Sequence, residues 1–86
     1  MMKYMLISVC ERDIYTETFS TFEDAHNQMM KELKEQFDKC FDDYTWNEIT
    51  SENEFYESQD FEFGPMEAWS NIDFDCLCDW KIVEIK

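Results

Sequence analysis

The 86 residues include one glycine, one proline, one histidine and only seven lysines and arginines. Each scarcity excludes something. With Gly64 as the sole glycine there is no glycine-rich loop to cradle a phosphate and no G-x-S-x-G turn to present a nucleophile, and the D-x-D-x-D-G pattern of a calcium loop is absent. With His26 as the sole histidine there is no H-E-x-x-H zinc motif, and general acid–base chemistry has little to work with. His26 falls at the edge of a helical apolar stripe, where it is expected to be a structural boundary residue. Seven bases against 21 acids leave a formal charge of −14, which repels nucleic acid and anionic lipid and attracts basic partners. No apolar run approaches the roughly 20 residues that span a bilayer. The opening MMKYMLISVC continues into Glu11, Arg12 and Asp13 with no small-residue cleavage site, so a cytoplasmic location is expected.

What is present argues for a folded chain. Hydrophobic residues make up 44% and aromatic residues 17%, well above the content of a disordered acidic tail, and the rings supply area to offset chain entropy and self-repulsion. One domain over residues 1–86, with one core, is expected. The cysteines Cys10, Cys40, Cys76 and Cys78 read as thiols rather than two disulfides in the absence of an export signal, and Cys10 and Cys40 sit in apolar patterns. Cys76 and Cys78 would point to the same side of a strand, and with His26 or Cys10 would form only a thin metal site, because neither Cys10 nor Cys40 has a ligand-spaced neighbour. Asp73 and Asp75 share a face as well but lack a calcium-loop pattern. No catalytic residue, metal or cofactor is expected.

Along the chain, KYMLISVC over residues 3 to 10 reads as a central strand, and Ile14 to Ser20 alternates as a second one. The short ERD between them suits a hairpin turn. Ser20 with Glu23, or Thr21 with Asp24, offers a capping box. A helix of about 20 residues follows, with Phe22, Ala25, His26, Met29, Met30, Leu33, Phe37, Cys40 and Phe41 spaced three and four apart. Residues 42 to 60 show no sustained period and read as loop or a short irregular helix. Gly64-Pro65 marks a turn between two further short strands, and a last strand runs from about Asp79 to Ile85, with an earlier strand or loop around Ile72 to Cys78. The fold class is therefore α+β: one long amphipathic helix packed on a small antiparallel sheet of about four strands.

One feature exceeds what folding requires. From Asp42 to Asp79 there are twelve carboxylates and no basic residue, while the bases lie at Lys3, Arg12, Lys31, Lys34, Lys39, Lys81 and Lys86. Plain solubility is served better by both signs interspersed, whereas a one-signed surface steers and binds a partner of opposite charge. On strands, alternate residues such as Asp60 and Glu62, or Asp73 and Asp75, would stand about 6 to 7 Å apart, close to the spacing of successive phosphates. The partner-binding residues expected from this pattern are Asp42, Asp43, Glu48, Glu52, Glu54, Glu57, Asp60 and Glu62. Among Tyr44, Trp46, Phe55 and Tyr56, one or two would be exposed anchors and the others core.

The segments CERDIYTETFSTFEDA (Cys10 to Ala25), NEFYE (Asn53 to Glu57) and DWKIVEI (Asp79 to Ile85) together resemble the short acidic proteins encoded by phages and mobile elements of gut Firmicutes. Some small acidic phage proteins block host defence as anti-CRISPR or anti-restriction mimics of DNA. The resemblance covers most of the chain but carries no catalytic motif and assigns no role to any residue. Taken with the charge pattern, it points to a non-enzymatic inhibitor whose partner is the basic surface of a protein, a nuclease for example; the charge disfavours direct binding of nucleic acid or membrane, and the oligomeric state stays open with a monomer favoured because so charged a mimic repels itself. The alternative reading is a protein-interaction module or small homo-oligomer with a solubilising acidic surface.

Overall fold

The computed structural model describes residues 3–11, 13–38, 42–71 and 77–85. Among them, eight elements follow in the order β1 (Lys3–Cys10), β2 (Asp13–Phe19), α1 (Phe22–Phe37), α2 (Asp43–Glu52), β3 (Tyr56–Glu57), β4 (Phe61–Phe63), β5 (Glu67–Ser70) and β6 (Cys78–Ile85). The strands form one antiparallel sheet in the order β2-β1-β6-β5-β4-β3. The α+β class is as expected. The count is larger, with six strands and two helices in place of about four strands and one long helix.

The opening hairpin is tighter than ERD suggested. Cys10 pairs with Asp13, so Asp13, expected in the turn, belongs to the strand. Glu11 takes the left-handed conformation, φ 58°, which suits a two-residue hairpin turn and costs a non-glycine residue on the order of 1 kcal/mol. Its backbone N–H donates to the Leu77 carbonyl at 3.0 Å, tying the turn to the start of β6.

Helix α1 begins at the second of the two capping possibilities: the Thr21 hydroxyl accepts from the Asp24 amide at 3.1 Å. It has 16 residues and ends at Phe37, shorter than the expected 20. Cys40 and Phe41, assigned to its apolar stripe from sequence, lie outside the described residues. Ala25, Met29, Leu33 and Phe37 are buried at the four-residue spacing that aligns one face of a helix. They meet Leu6, Phe61, Phe63, Ala68, Cys78, Trp80 and Ile82 from the sheet.

Of the two alternatives for residues 42 to 60, loop or short helix, a helix forms over Asp43–Glu52. Asp42 caps it, its carboxylate accepting from the Thr45 amide at 2.8 Å, and Trp46 anchors it against Phe37 with ring centroids 5.1 Å apart. Its residues, DYTWNEITSE, carry weak helix propensity, so the periodic signal reduces to Trp46, Ile49 and Thr50. The Asp42 cap and the packing of Trp46 and Ile49 on the core, rather than helix propensity, hold it. Strand β3 is two residues long and too short to alternate. The turn after it is built by Ser58, whose hydroxyl accepts from the amides of Asp60 and Phe61.

Both helices cover the same side of the sheet. Leu6, Ser8, Phe61, Phe63, Ala68, Ser70, Cys78, Trp80 and Ile82 are buried on that side, while their strand neighbours Met5, Ile7, Val9, Val83 and Ile85 are only half-buried on the other. The extents of 39 × 31 × 17 Å match a two-layer slab. Among the described residues, nothing packs over the outer side of the sheet.

Candidate functional site

The sheet order turns a segregation along the chain into one in space. Strands β5, β4 and β3 occupy one end of the sheet, and α2 covers that end, Trp46 resting on Phe37 and lying 6.4 Å from Phe63 between ring centroids. Residues 42 to 71 supply all four elements, with nine acids and no lysine or arginine among them. The eight residues singled out from sequence therefore share one end of the molecule but divide between its two sides. Asp42, Asp43, Glu48, Glu52 and Glu54 belong to α2 and its ends. Glu57 and Glu62 stand opposite each other across β3 and β4, on the outer side of the sheet. Asp60 lies in the Ser58 turn, not on a strand, so the alternate-residue spacing with Glu62 does not apply. Asp73 and Asp75 fall outside the described residues.

Two placements work against folding. Glu48 and Glu52 are exposed on α2 one turn apart, where like charges repel, and Glu52 ends a helix whose last turn holds no base. Glu57 directly faces Glu62 across the ladder, again like against like. Neither arrangement helps the chain to fold.

Among the described residues, lysines reach this end only at its margins. Lys34 of α1 reaches one corner of it, pairing with Asp38 and Asp43 at 3.0 Å each. Those carboxylates, Asp38 first and Asp43 second, raise the Lys34 pKa above its ordinary value through their hydrogen bonds. Asp42 is shifted the other way: the Thr45 side chain and then its amide hold the carboxyl below its ordinary value. Lys81 stands beside Glu67 in the β5–β6 register. Among the described residues, Glu48, Glu52, Glu54, Glu57 and Asp60 form no ion pair within 4 Å. Two aromatic residues accompany them at the surface, Tyr44 at 76% and Phe55 at 69% exposure. Trp46 is buried, and Tyr56 stacks on Phe61 and Phe63 at 5.1 and 5.9 Å, so two of the four rings are exposed and two pack inward.

Three further features were not legible from sequence. A groove of about 530 Å³ runs between α1 and α2, walled by Phe22, Met30, Trp46 and Phe63 with His26 and Glu54 at its edges. His26 Nδ1 donates to the Pro65 carbonyl at 2.9 Å and its ring stacks on Phe22 at 5.8 Å, which pins the imidazole to the β4–β5 turn as a boundary residue. The Thr50 hydroxyl, in the same groove, is spent on the Trp46 carbonyl, so no nucleophile and base are aligned there. Glu32, one turn beyond Gln28 on the sheet-facing edge of α1, accepts from Ser8, Gln28 and Trp80 at 3.0, 3.0 and 3.2 Å. Three neutral donors thus hold a half-buried carboxylate in place; its seven-residue distance from Ala25 was the available signal. On the outer side of the sheet, Met5, Ile7, Val9, Val83 and Ile85 form an apolar field continued by Ile14 at 69% exposure.

Among the described residues no cluster of three or more His, Cys, Asp or Glu is arranged to hold a metal. Cys10 and Cys78 are register partners in β1 and β6, and Cys76 lies outside the described residues. Among the described residues no helix is long and apolar enough to cross a membrane. Comparison with family models, curated proteins and solved structures gave no match for this chain.

Proposed function

We propose that this chain is a non-enzymatic inhibitor that inserts its α2–β3–β4 end into the basic cleft of a nucleic-acid enzyme and occupies positions meant for phosphates. The observation that carries the reading is the gathering of nine acids, with no base of their own segment, at one end of the sheet. Carboxylates that oppose folding, Glu48 with Glu52 and Glu57 with Glu62, are what a surface selected for a basic partner would keep. Exposed Tyr44 and Phe55 supply the apolar contacts that charge alone does not, since rim charges mainly set the association rate. The resemblance to acidic phage proteins points to a defence nuclease, a CRISPR effector or restriction enzyme, as the partner.

The test is displacement of fluorescein-labelled duplex from purified nucleases of these two kinds. Displacement is expected to weaken steeply between about 50 and 500 mM salt, as screening of a charge-driven encounter requires, and to be lost in the quadruple variant E48Q/E52Q/E57Q/E62Q. Displacement that ignores both salt and this variant would refute the charge mimic.

The apolar outer side of the sheet favours a second reading, an interaction module or small homo-oligomer joined through Met5, Ile7, Val9, Val83 and Ile85. Light scattering separates the two: a mimic with this charge repels itself and stays monomeric at low salt, whereas a self-associating sheet gives a dimer that strengthens as salt screens the repulsion.

A further inference from the structure

Beside the acidic end lies a second cavity, of about 510 Å³, at the β4–β5 hairpin, walled by Phe55, Pro65, Met66 and Trp69 with Glu62 and Glu67 at its polar side. Its parts are held in place. The Gly64 amide donates to the Glu67 carbonyl at 2.8 Å and the Ile82 amide to the Met66 carbonyl at 2.7 Å, so the loop is tied both to itself and to β6. The Phe55 ring lies over Gly64 so closely that a Cβ built there would sit 3.0 Å from it. The Trp69 indole N–H donates to Glu62 Oε2, fixing that carboxylate beside the ring and leaving Oε1 with no partner among the described residues. Glu67 has Lys81 beside it in the register, which makes Glu62 the less compensated of the two acids.

We infer that this pocket receives an arginine side chain of the basic partner, the guanidinium lying between the Phe55 and Trp69 rings and donating to Glu62. The inference rests on the reading that the partner is basic and names the group it offers. Two rings and a fixed carboxylate suit a planar, weakly hydrated cation that stacks on aromatic faces and donates in a fork. Lysine, a strongly hydrated point charge, stacks less well, and an apolar side chain would strip water from Glu62 without replacing its hydrogen bonds. Glu57 stands opposite Glu62 across β3 and β4, adding negative charge beside the pocket.

The test uses N-acetyl-arginine methylamide, with the lysine and leucine derivatives as comparisons, titrated into the isotope-labelled chain while the three tryptophan indole N–H signals are followed. The Trp69 signal, assigned from a Trp69→Phe variant, is expected to shift saturably with the arginine derivative at a Kd on the order of 1 to 10 mM. The Trp46 and Trp80 signals stay still. Binding of the lysine derivative should be several-fold weaker, and Glu62→Gln, which keeps an acceptor for the Trp69 indole, and Phe55→Ala, at an exposed ring, should each weaken arginine binding about fivefold or more. Two results overturn the inference: a leucine derivative that binds as tightly as arginine, or an arginine shift that fails to saturate and persists unchanged in Glu62→Gln, the signature of a diffuse ion atmosphere. The duplex-displacement assay is separate. If displacement holds while the titration fails, the pocket is refuted and the charge mimic stands. If the titration succeeds while displacement is absent from both nuclease classes, the pocket stands and the mimic is refuted.

Discussion

Replacing Glu52 with lysine sets stability and binding against each other. In the native chain Glu52 faces Glu48 one turn away and carries a negative charge at the negative end of α2, whose last turn holds no base. The substitution removes a like-charge pair, creates a Glu-to-Lys pair in the favourable orientation and reverses the interaction with the helix dipole. The pair changes are each about 0.2 to 0.5 kcal/mol, and each half of the dipole reversal is about 0.3 to 1 kcal/mol at a surface site. Discounted for salt screening, the gain is about 1 kcal/mol, which moves Tm upward by about 4 to 8 °C in a domain of this size. The assay is thermal unfolding followed by circular dichroism at about 50 mM salt, paired with duplex displacement by the same preparation. A rise in Tm together with a loss of displacement, carried by a slower association rate, is the expected outcome. A rise in Tm with displacement unchanged would refute the functional reading of α2 and leave its acids as solubilising surface. A fall in Tm would refute the electrostatic account of the helix itself.

Lys34→Gln should strengthen displacement at low salt and steepen its salt dependence, because Asp38 and Asp43 lose their partner, while stability changes little because both ion pairs are exposed. Phe37→Ala, at a fully buried ring that touches Trp46 and Phe61, should cost about 3 to 5 kcal/mol in urea unfolding and release α2 first, seen as faster amide exchange in residues 43 to 52. Asp42 titrates below its ordinary value in the folded chain. Its contribution to α2 is therefore complete above the ordinary aspartate pKa and is lost as pH falls through the lowered one. Asp42→Asn, which keeps an acceptor for the Thr45 amide, should flatten the acid limb of α2 amide protection, and an unchanged limb would count against the cap.

How much was readable depends on the element. Helix α1 declared itself because Ala25, Met29, Leu33 and Phe37 repeat at four through a sixteen-residue helix, enough to outvote local noise. Helix α2 did not, since only Trp46 is buried in it and its Thr, Asn and Ser content favours turns. The strands β1, β2 and β6 were visible as alternating or apolar runs, whereas β3, with two residues, has no period to read. Of the candidate site, the residue identities were visible and the grouping was not. Asp60 and Glu62 look alike as alternate residues, yet one sits in the Ser58 turn and the other on β4. Glu62 found its partner in Glu57, five residues back across a turn. The pocket at Gly64 was invisible, because Phe55, Met66 and Trp69 are brought together by the hairpin and not by spacing.

By itself the chain determined its net charge, its lack of a glycine-rich loop, and the existence of an amphipathic helix over a sheet, because each follows from residue type or from a period that local geometry imposes. Tertiary structure alone decided that β3, β4 and β5 line up at one end of the sheet beneath α2. Strand order is a matter of long-range pairing, and no short-range pattern encodes it. That order is what stacks the nine acids of residues 42 to 71 at one end, leaves the outer side of β1 and β6 uncovered among the described residues and folds Phe55 over Gly64.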